Sequence, residues 1–369
     1  MKKIGLIVNP IAGMGGRVGL KGTDGEAVLE KARELGARPV SPERAVRMIR
    51  KLATFKGSFS IVTYPNEMGK DEVKAAGLDA EVIGSITPGR TRAEDTKVAA
   101  REMARLEVDL ILVVGGDGTL RDVHDSVGQD VPVLGVPAGV KVHSAAFSTS
   151  PEAAAETVTK FLWEELPLKE AEVMDVDEEA YRSGRLSAKL HGFVLTPYEP
   201  TLLQGTKLAS LEVEEEAEQH GAIAKQVIES MEPEKVYLLG PGTSTRAVAE
   251  ALGEEKTLLG VDAVKNGKII HRDLNEKAIL NLLEGVKAVI IVSPIGGQGF
   301  ILGRGNQQLS PEVVRKAGKE NIWVIATPHK LSQTLALRVD TGDLALDQEL
   351  KGYVRVIAGY RESRMVRTL

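Results

Sequence analysis

Five consecutive residues in the first half of the chain combine glycines with one carboxylate and one hydroxyl. They follow the apolar run at 110–114 and are Gly115, Gly116, Asp117, Gly118 and Thr119. Glycine permits a tight turn and lets a ligand approach the main chain, and the free N–H groups that begin a following helix attract phosphate. A plain strand-to-helix turn is the alternative, but a carboxylate repels phosphate unless it has a chemical task. We therefore predict a phosphate site with Asp117 as its catalytic group, which orients or deprotonates an accepting hydroxyl or holds a metal ion.

Three further polar residues follow predicted strands in the same half. Asn9 comes after the strand predicted at 3–8, and Lys141 and His143 come after the strand predicted at 132–137. Lys141 is a candidate to hold a phosphate, and His143 is a candidate to donate to a substrate oxygen. A solvated lysine and a packed histidine are the alternatives.

Residues 11–25 form a glycine-rich segment that also carries two cations, Arg17 and Lys21. A loop that faces phosphate or covers a substrate explains this composition. A mobile surface loop is the alternative.

The second half contains two segments of similar chemical character. The first is a turn before a helix predicted at 247–252, and its candidate contacts are Gly242, Thr243, Ser244 and Thr245. The second runs from 293 to 308, and its candidate contacts are Gly296, Gly297, Arg304, Asn306 and Gln307. Amides suit ribose and base edges, and arginine binds phosphate through two parallel hydrogen bonds. We predict nucleotide contacts in both segments, although a well-capped helix start also explains the first.

Strand and helix patterns alternate through the first half, which predicts a parallel sheet with helices on both faces. In such folds ligands bind beyond the carboxyl ends of the strands, where Asn9 and the segment 115–119 both fall. From residue 169 the pattern changes to half-buried strands and a long helix. We expect an α/β domain at 1–167 and a second, α+β domain at 168–369, with the last strand and the basic tail as candidates to return to the first domain.

Two serines mark predicted helix starts. Ser41 is followed by Pro42, which suits the first helical position, so Ser41 is the predicted N-cap. Ser150 is the predicted N-cap of a helix at 151–163.

The composition excludes several classes of function. The chain has 369 residues, a formal net charge of −5 and no cysteine. It therefore lacks the basic character of many nucleic-acid-binding proteins, and it has no thiol for a disulfide or a thiolate metal site. No apolar segment reaches a membrane-spanning length. We expect a cytoplasmic protein that binds neither nucleic acid nor membrane.

The segment GGDGT after a buried strand resembles the NAD kinases and the diacylglycerol and sphingosine lipid kinases, and more distantly the phosphofructokinases. IVNPIAG looks like the strand and turn with which the NAD kinases and lipid kinases open. VPAGVKVHSAAF, GPGTST and SPIGGQGFILGRGNQQ are similar to the AcoX-type group of ATP- or polyphosphate-dependent NAD kinase-like proteins. This resemblance implies the NAD kinase/diacylglycerol kinase-like fold, with a Rossmann-like parallel sheet followed by an α+β domain.

The resemblance also implies a kinase that transfers a phosphoryl group from ATP or polyphosphate, with Mg²⁺, to the 2′-hydroxyl of NAD, and we expect a homo-oligomer. The chain departs from the family pattern at one point. Established NAD kinases carry an Asn-Glu pair between GGDGT and the Thr-rich motif, and no such pair lies between Thr119 and Gly240. A kinase for another small alcohol or a lipid, and a non-catalytic nucleotide sensor, therefore stay as alternatives.

Overall fold

The computed structural model describes residues 1–20, 26–138, 142–176, 188–199, 202–203, 214–295, 299–334 and 336–369. The chain separates into two compact units, Met1–Met14 with Gly22–Thr206 and Gly15–Lys21 with Lys207–Leu369. No helix in the described ranges is long and apolar enough to cross a bilayer.

The first unit is built on a parallel sheet. Its strands are β1 (Lys2–Val8), β2 (Phe59–Thr63), β3 (Glu81–Val82), β4 (Leu110–Gly115) and β5 (Val133–Pro137). They lie in the order β3-β2-β1-β4-β5 and every pairing is parallel. Side chains of β4 alternate between two core clusters, with Leu112 and Val114 in one and Ile111 and Val113 in the other. Burial on both faces is typical of a parallel strand covered by helices, and the predicted parallel sheet is confirmed.

The helices of this unit cover the two faces of the sheet. They are α1 (Glu26–Glu34), α2 (Ser41–Leu52), α3 (Lys70–Ala75), α4 (Ala93–Arg105), α5 (Asp117–Val127) and α6 (Pro151–Leu162), with short 3₁₀ helices at Ala53–Phe55 and Asn66–Met68. Met48 of α2 and Val158 of α6 lie in one core cluster, while Ala99 of α4 and Val123 of α5 lie in the other. The carboxyl end of β4 therefore leads directly into a helix that is packed on the sheet.

An antiparallel hairpin of β6 (Leu168–Val176) and β7 (Ala188–Pro197) also belongs to the first unit, which thus continues past residue 167. Val173 and Val194 lie in the same core cluster as Val123 of α5. The hairpin therefore packs on the helix that begins at Asp117.

The second unit is built on a mixed sheet. Its strands are β8 (Val236–Leu239), β9 (Asp262–Lys265), β10 (Lys268–His271), β11 (Ala288–Val292), β13 (Ile322–Ile325), β15 (Gly352–Gly359) and β16 (Glu362–Thr368). They lie in the order β10-β9-β8-β11-β13-β15-β16. The pairings from β8 to β15 are parallel and the outer pairings are antiparallel. β12 (Phe300–Leu302) and β14 (Arg338–Val339) form a separate parallel pair.

The helices of the second unit are α7 (Glu214–Glu229), α8 (Thr243–Ala251), α9 (Glu276–Leu282), α10 (Pro311–Ala317), α11 (Pro328–Ser332) and α12 (Leu344–Glu349), with a 3₁₀ helix at Lys319–Asn321. The basic tail forms β16 at the edge of this unit's sheet, where it pairs with β15. Both β15 and β16 take their strand partners within the second unit. The expectation that the last strand and the tail return to the first domain stays a prediction.

The two predicted N-caps differ in outcome. Ser150 is confirmed, since its side chain accepts a hydrogen bond from the Ala153 N–H at 3.0 Å. Ser41 is the first residue of α2 and its side chain makes no cap. Its hydroxyl instead donates to the Asn9 carbonyl at 2.5 Å, so a contact with the end of β1 replaces the local one.

Candidate functional site

The carboxyl ends of β1 and β4 bring Asn9 against the residues that follow β4. The Asn9 N–H donates to the Val114 carbonyl at 3.0 Å, and the Asn9 Nδ2 donates to Thr119 Oγ1 at 2.9 Å. The Asn9 Oδ1 accepts from the Ile11 N–H at 3.2 Å. The parallel pairing of β1 with β4 thus joins two of the predicted site residues at one edge of the sheet.

The glycine turn leads into α5 without an intervening loop. Gly115 ends β4, Gly116 is the N-cap, and α5 begins at Asp117. A Cβ on Gly115 would lie 2.6 Å from the side chain of Thr119, so this position needs a residue without a side chain. Gly118 and Thr119 lie in the first helical turn, where backbone N–H groups have no partner inside the helix.

The carboxylate of Asp117 is only 9% exposed and takes four contacts from two residues. Its Oδ1 accepts from the Ser144 N–H at 2.9 Å and from the Ser144 hydroxyl at 2.6 Å. Its Oδ2 accepts from the His143 N–H at 2.8 Å and lies 3.3 Å from the His143 Nδ1. A carboxylate has about four lone-pair sites, so these contacts engage all of them. Asp117 therefore joins the first turn of α5 to the segment that follows β5.

The contacts of Asp117 bear on the roles predicted for it, which stay predictions. A Mg²⁺ ligand must present a free oxygen lone pair at about 2.0–2.1 Å, and a general base needs a free lone pair as well. Both Asp117 oxygens already accept two contacts each. Asp117 in this arrangement does not fit direct coordination of Mg²⁺, and its contacts favour a role exerted through His143.

His143 is the side chain that Asp117 orients. The His143 ring is 9% exposed, and its Nδ1 faces the carboxylate. Its Nε2 is buried and has no hydrogen-bond partner among the residues that the structure describes. When Nδ1 carries the proton that faces a carboxylate, Nε2 carries the lone pair. A carboxylate behind an imidazole is an arrangement that suits proton transfer at Nε2.

Ser144 is a site residue that sequence reasoning missed. Its hydroxyl donates to Asp117 and accepts from the Met174 N–H at 2.9 Å, so it ties the carboxylate to β6. The only sequence signal for Ser144 was its position next to His143. The local sequence does not distinguish a serine that binds a buried carboxylate from a serine that is exposed to solvent.

The nucleotide turn predicted in the second unit is the N-terminus of α8. Gly242 is the N-cap with φ +123°, and Thr243 is the first helical residue. The Thr245 hydroxyl donates to the Gly240 carbonyl at 2.6 Å and lies 3.0 Å from the Gly242 carbonyl. Thr245 is fully buried and its hydroxyl bonds within the turn, so its nucleotide contact stays a prediction.

Ser244 lies in a polar cluster that includes three residues the sequence did not single out. The Ser293 hydroxyl donates to Ser244 Oγ at 3.3 Å, and the His220 Nε2 lies 3.2 Å from the same oxygen. Lys330 Nζ donates to Ser293 Oγ at 3.1 Å. Ser293 follows β11 and Lys330 lies in α11, so the cluster gathers hydroxyls and a cation beside the start of α8. Such a combination suits an anionic group.

Arg304 is buried and forms an ion pair that the sequence did not predict. It is 1% exposed, its Nε donates to the Asp340 Oδ2 at 2.7 Å, and its guanidinium carbon lies 4.7 Å from the centre of the Phe300 ring. Its glycine neighbours suggested a side chain directed at phosphate, but its charge partner lies 36 positions away in sequence. The structure therefore shows Arg304 in a buried ion pair, and its phosphate contact stays a prediction.

Asn306 and Gln307 are held within the same unit. The Asn306 Oδ1 accepts from the Gly303 N–H and its Nδ2 donates to the Ile301 carbonyl, both at 2.9 Å. These bonds hold the loop that contains Asn306, and its nucleotide contact stays a prediction. Gln307 lies so close to Gly16 that a Cβ there would be 1.6 Å from the Gln307 Oε1. The nucleotide contact of Gln307 stays a prediction.

Lys141, Gly296 and Gly297 lie outside the residues that the structure describes, as does the part of the glycine-rich segment at 21–25. Their predicted phosphate contacts therefore stay predictions.

Comparison with protein families gives two matches. A model described as the ATP-NAD kinase N-terminal domain matches residues 4–166. A model described as the ATP-NAD kinase C-terminal domain matches residues 232–368. No curated protein and no solved structure matches the chain.

Proposed function

The chain belongs to the ATP-NAD kinase family and is an NAD kinase-like phosphotransferase, and from this premise we propose that it phosphorylates the 2′-hydroxyl of NAD to give NADP. The donor in this proposal is ATP or polyphosphate. The observation that carries the proposal is the Asp117–His143 pair at the carboxyl edge of the first sheet. It places an oriented imidazole beside a helix start that attracts phosphate.

The proposed step is an in-line phosphoryl transfer. The acceptor hydroxyl gives its proton to His143 Nε2 as its oxygen bonds to the terminal phosphorus of the donor. The bond between that phosphorus and its bridging oxygen breaks, and ADP or the shortened polyphosphate leaves. Asp117 accepts from Nδ1 and stabilises the imidazolium that forms. Catalysis in such reactions is mostly positioning and charge stabilisation.

Other residues have supporting roles in this proposal. The first-turn N–H groups of Gly118 and Thr119 bind donor phosphate oxygens, and Lys141 contributes a cation. Mg²⁺ enters on the phosphate oxygens of ATP, as is usual for this ion, and we assign it no ligand from the chain. In the second unit, we propose that the cluster of Ser244, Ser293 and Lys330 contacts a phosphate or ribose of a nucleotide.

A panel of donors and acceptors tests the proposed reaction. The protein is incubated with Mg²⁺, either ATP or polyphosphate, and NAD, glycerol or diacylglycerol, and products are identified by mass spectrometry and ³¹P NMR. We expect a 2′-phosphate on NAD. A product on glycerol or diacylglycerol alone would replace NAD as the acceptor, and ATP binding without any product would indicate a sensor.

Variants of the pair test the mechanism. General acid–base catalysis contributes about 10²–10⁴-fold in rate, so we expect His143→Gln and Asp117→Asn each to lower kcat by about that factor. Because Asp117 acts through His143, the double variant should lose little more than either single one, and Asp117→Asn should alter the pH dependence of kcat. Asp130→Asn, an exposed carboxylate just after α5, is the matched control. Full turnover by His143→Gln would contradict the assignment of His143 as the group that accepts the proton.

The change at Asp117 also affects folding. Hydrogen bonds to charged groups are worth about 1.5–3 kcal/mol, so we expect Asp117→Asn to be measurably less stable. Its turnover is therefore measured well below its melting temperature, where the variant is folded.

A further inference from the structure

Two of the six histidines of the chain meet one aspartate on the far part of α5. His124 and Asp125 lie on α5, and His191 lies on β7. One ligand atom from each of the three lies within 4.8 Å of the others. His124 and Asp125 come seven and eight positions after Asp117, which on a helix corresponds to about 10–12 Å along its axis. The cluster is thus separate from the Asp117–His143 pair.

The spacing of the three polar atoms matches a metal site. His191 Nε2 lies 2.7 Å and His124 Nδ1 lies 3.7 Å from Asp125 Oδ1. Ligand atoms around zinc lie about 3.0–3.7 Å apart, because each is about 2.0–2.2 Å from the ion. The His191 distance is shorter than that range and the His124 distance is at its upper end, so binding requires the His191 ring to move away from Asp125 Oδ1.

Backbone features direct both rings to the same place. The register of β6 and β7 shifts so that Val173 pairs with Gly192 and Met174 with Leu190, which leaves His191 as the extra residue of a bulge. Bulges redirect a side chain out of the regular alternation of a strand. Gly192 in turn admits the His124 ring, since a Cβ there would lie 2.4 Å from His124 Nε2.

An ordinary ion pair accounts for only part of the cluster. The hydrogen bond from His191 lowers the pKa of Asp125, and Lys97 Nζ lies 3.3 Å from Asp125 Oδ2 and 3.5 Å from Asp122. Lys97 thus engages Oδ2 and leaves Oδ1 facing the two rings. His124 Nδ1, however, is buried and has no hydrogen-bond partner within the described part of the chain. A buried ring nitrogen without a hydrogen-bond partner requires an explanation, and an ion between it and the carboxylate would supply one.

We propose that His124, Asp125 and His191 bind one divalent transition-metal ion of the Zn²⁺ type. Two imidazoles and one carboxylate suit zinc, whereas Mg²⁺ prefers oxygen ligands alone. The side chains of the three residues are 21%, 34% and 29% exposed, so a bound ion keeps a position open to water. The ion would fasten α5 to the hairpin of β6 and β7, between which the Asp117 carboxylate is also held through Ser144.

Metal titration tests this site apart from the kinase proposal. Protein without a histidine tag is treated with a chelator, and Zn²⁺ binding is measured by calorimetry in the absence of nucleotide. Co²⁺ absorption reports the coordination. We expect one equivalent of Zn²⁺ that millimolar Mg²⁺ does not displace, and affinity at least tenfold weaker in both His191→Ala and Asp125→Asn.

His271→Ala is the matched control, because His271 is exposed on β10 in the second unit. We expect this variant to bind Zn²⁺ as the parent does. Parent-like affinity in both His191→Ala and Asp125→Asn, or Zn²⁺ binding too weak to detect at millimolar concentration, would overturn the proposal. Folding of each variant is checked by circular dichroism. Because His191 and Asp125 are both exposed, their substitutions test the site independently of each other.

Discussion

Replacing Arg304 separates a structural role from a phosphate-binding one. Arg304 and Asp340 are 1% and 3% exposed, so water does not replace a lost partner. Removing one member of a buried ion pair costs about 3–5 kcal/mol. The contact with Phe300 adds up to about 1–2 kcal/mol but overlaps with the packing of the pair. We therefore expect Arg304→Ala to destabilise the second unit by about 4 kcal/mol.

Urea unfolding followed by fluorescence measures this loss. The chain has two tryptophans, and in a Trp163→Phe background the remaining one, Trp323 on β13, reports the second unit. With an m-value of about 2 kcal/mol per M, the midpoint should fall by about 2 M. Arg315→Ala is the control, because its pair with Asp343 is exposed and such pairs contribute about 0–1 kcal/mol. An unchanged midpoint for Arg304→Ala, together with a raised KM for ATP or NAD, would refute the buried-pair assignment and restore the phosphate contact.

Three further outcomes follow from other contacts. Burial raises the pKa of Glu72 from 4.5 to about 7, so the folded state loses stability as pH rises through this window. Glu72→Gln should remove that loss and be up to about 3 kcal/mol more stable than the parent at pH 8 but not at pH 4. Urea unfolding midpoints at both pH values measure the difference. Asn9→Ala and Thr119→Val should each lower the free energy of unfolding by about 1–2 kcal/mol. If the loss in the double variant equalled the sum of the two single losses, the hydrogen bond between the two side chains would be contradicted. Thr245→Val should lower the melting temperature without raising KM for nucleotide, since its hydroxyl bonds the turn itself; a raised KM at parental stability would return Thr245 to the ligand site.

Local signals predicted the elements best where the sequence alone specifies the conformation. Ser150 before Pro151 marks a helix start, and in the structure Ser150 caps the helix that begins at Pro151. The apolar run before GGDGT predicts a buried central strand because a strand covered on both faces needs apolar side chains throughout. Ser41 is a case that local sequence did not predict correctly. Its hydroxyl can either cap the helix or donate to the carbonyl of Asn9, and the packing of α2 on β1 determines that it donates to Asn9.

The sequence by itself determined the family, the parallel sheet and the glycine turn, because these depend on residue order and short-range backbone preference. It did not determine which polar groups are engaged with one another. Asp117 and Ser144 lie 27 positions apart and Arg304 and Asp340 lie 36 apart, and no periodicity connects either pair. Only the folded chain brings each charged side chain to its partner and removes both from water, and burying either one alone would be costly. In the tertiary structure both oxygens of Asp117 accept hydrogen bonds and Arg304 is buried in an ion pair. The buried Nε2 of His143 has no hydrogen-bond partner among the described residues.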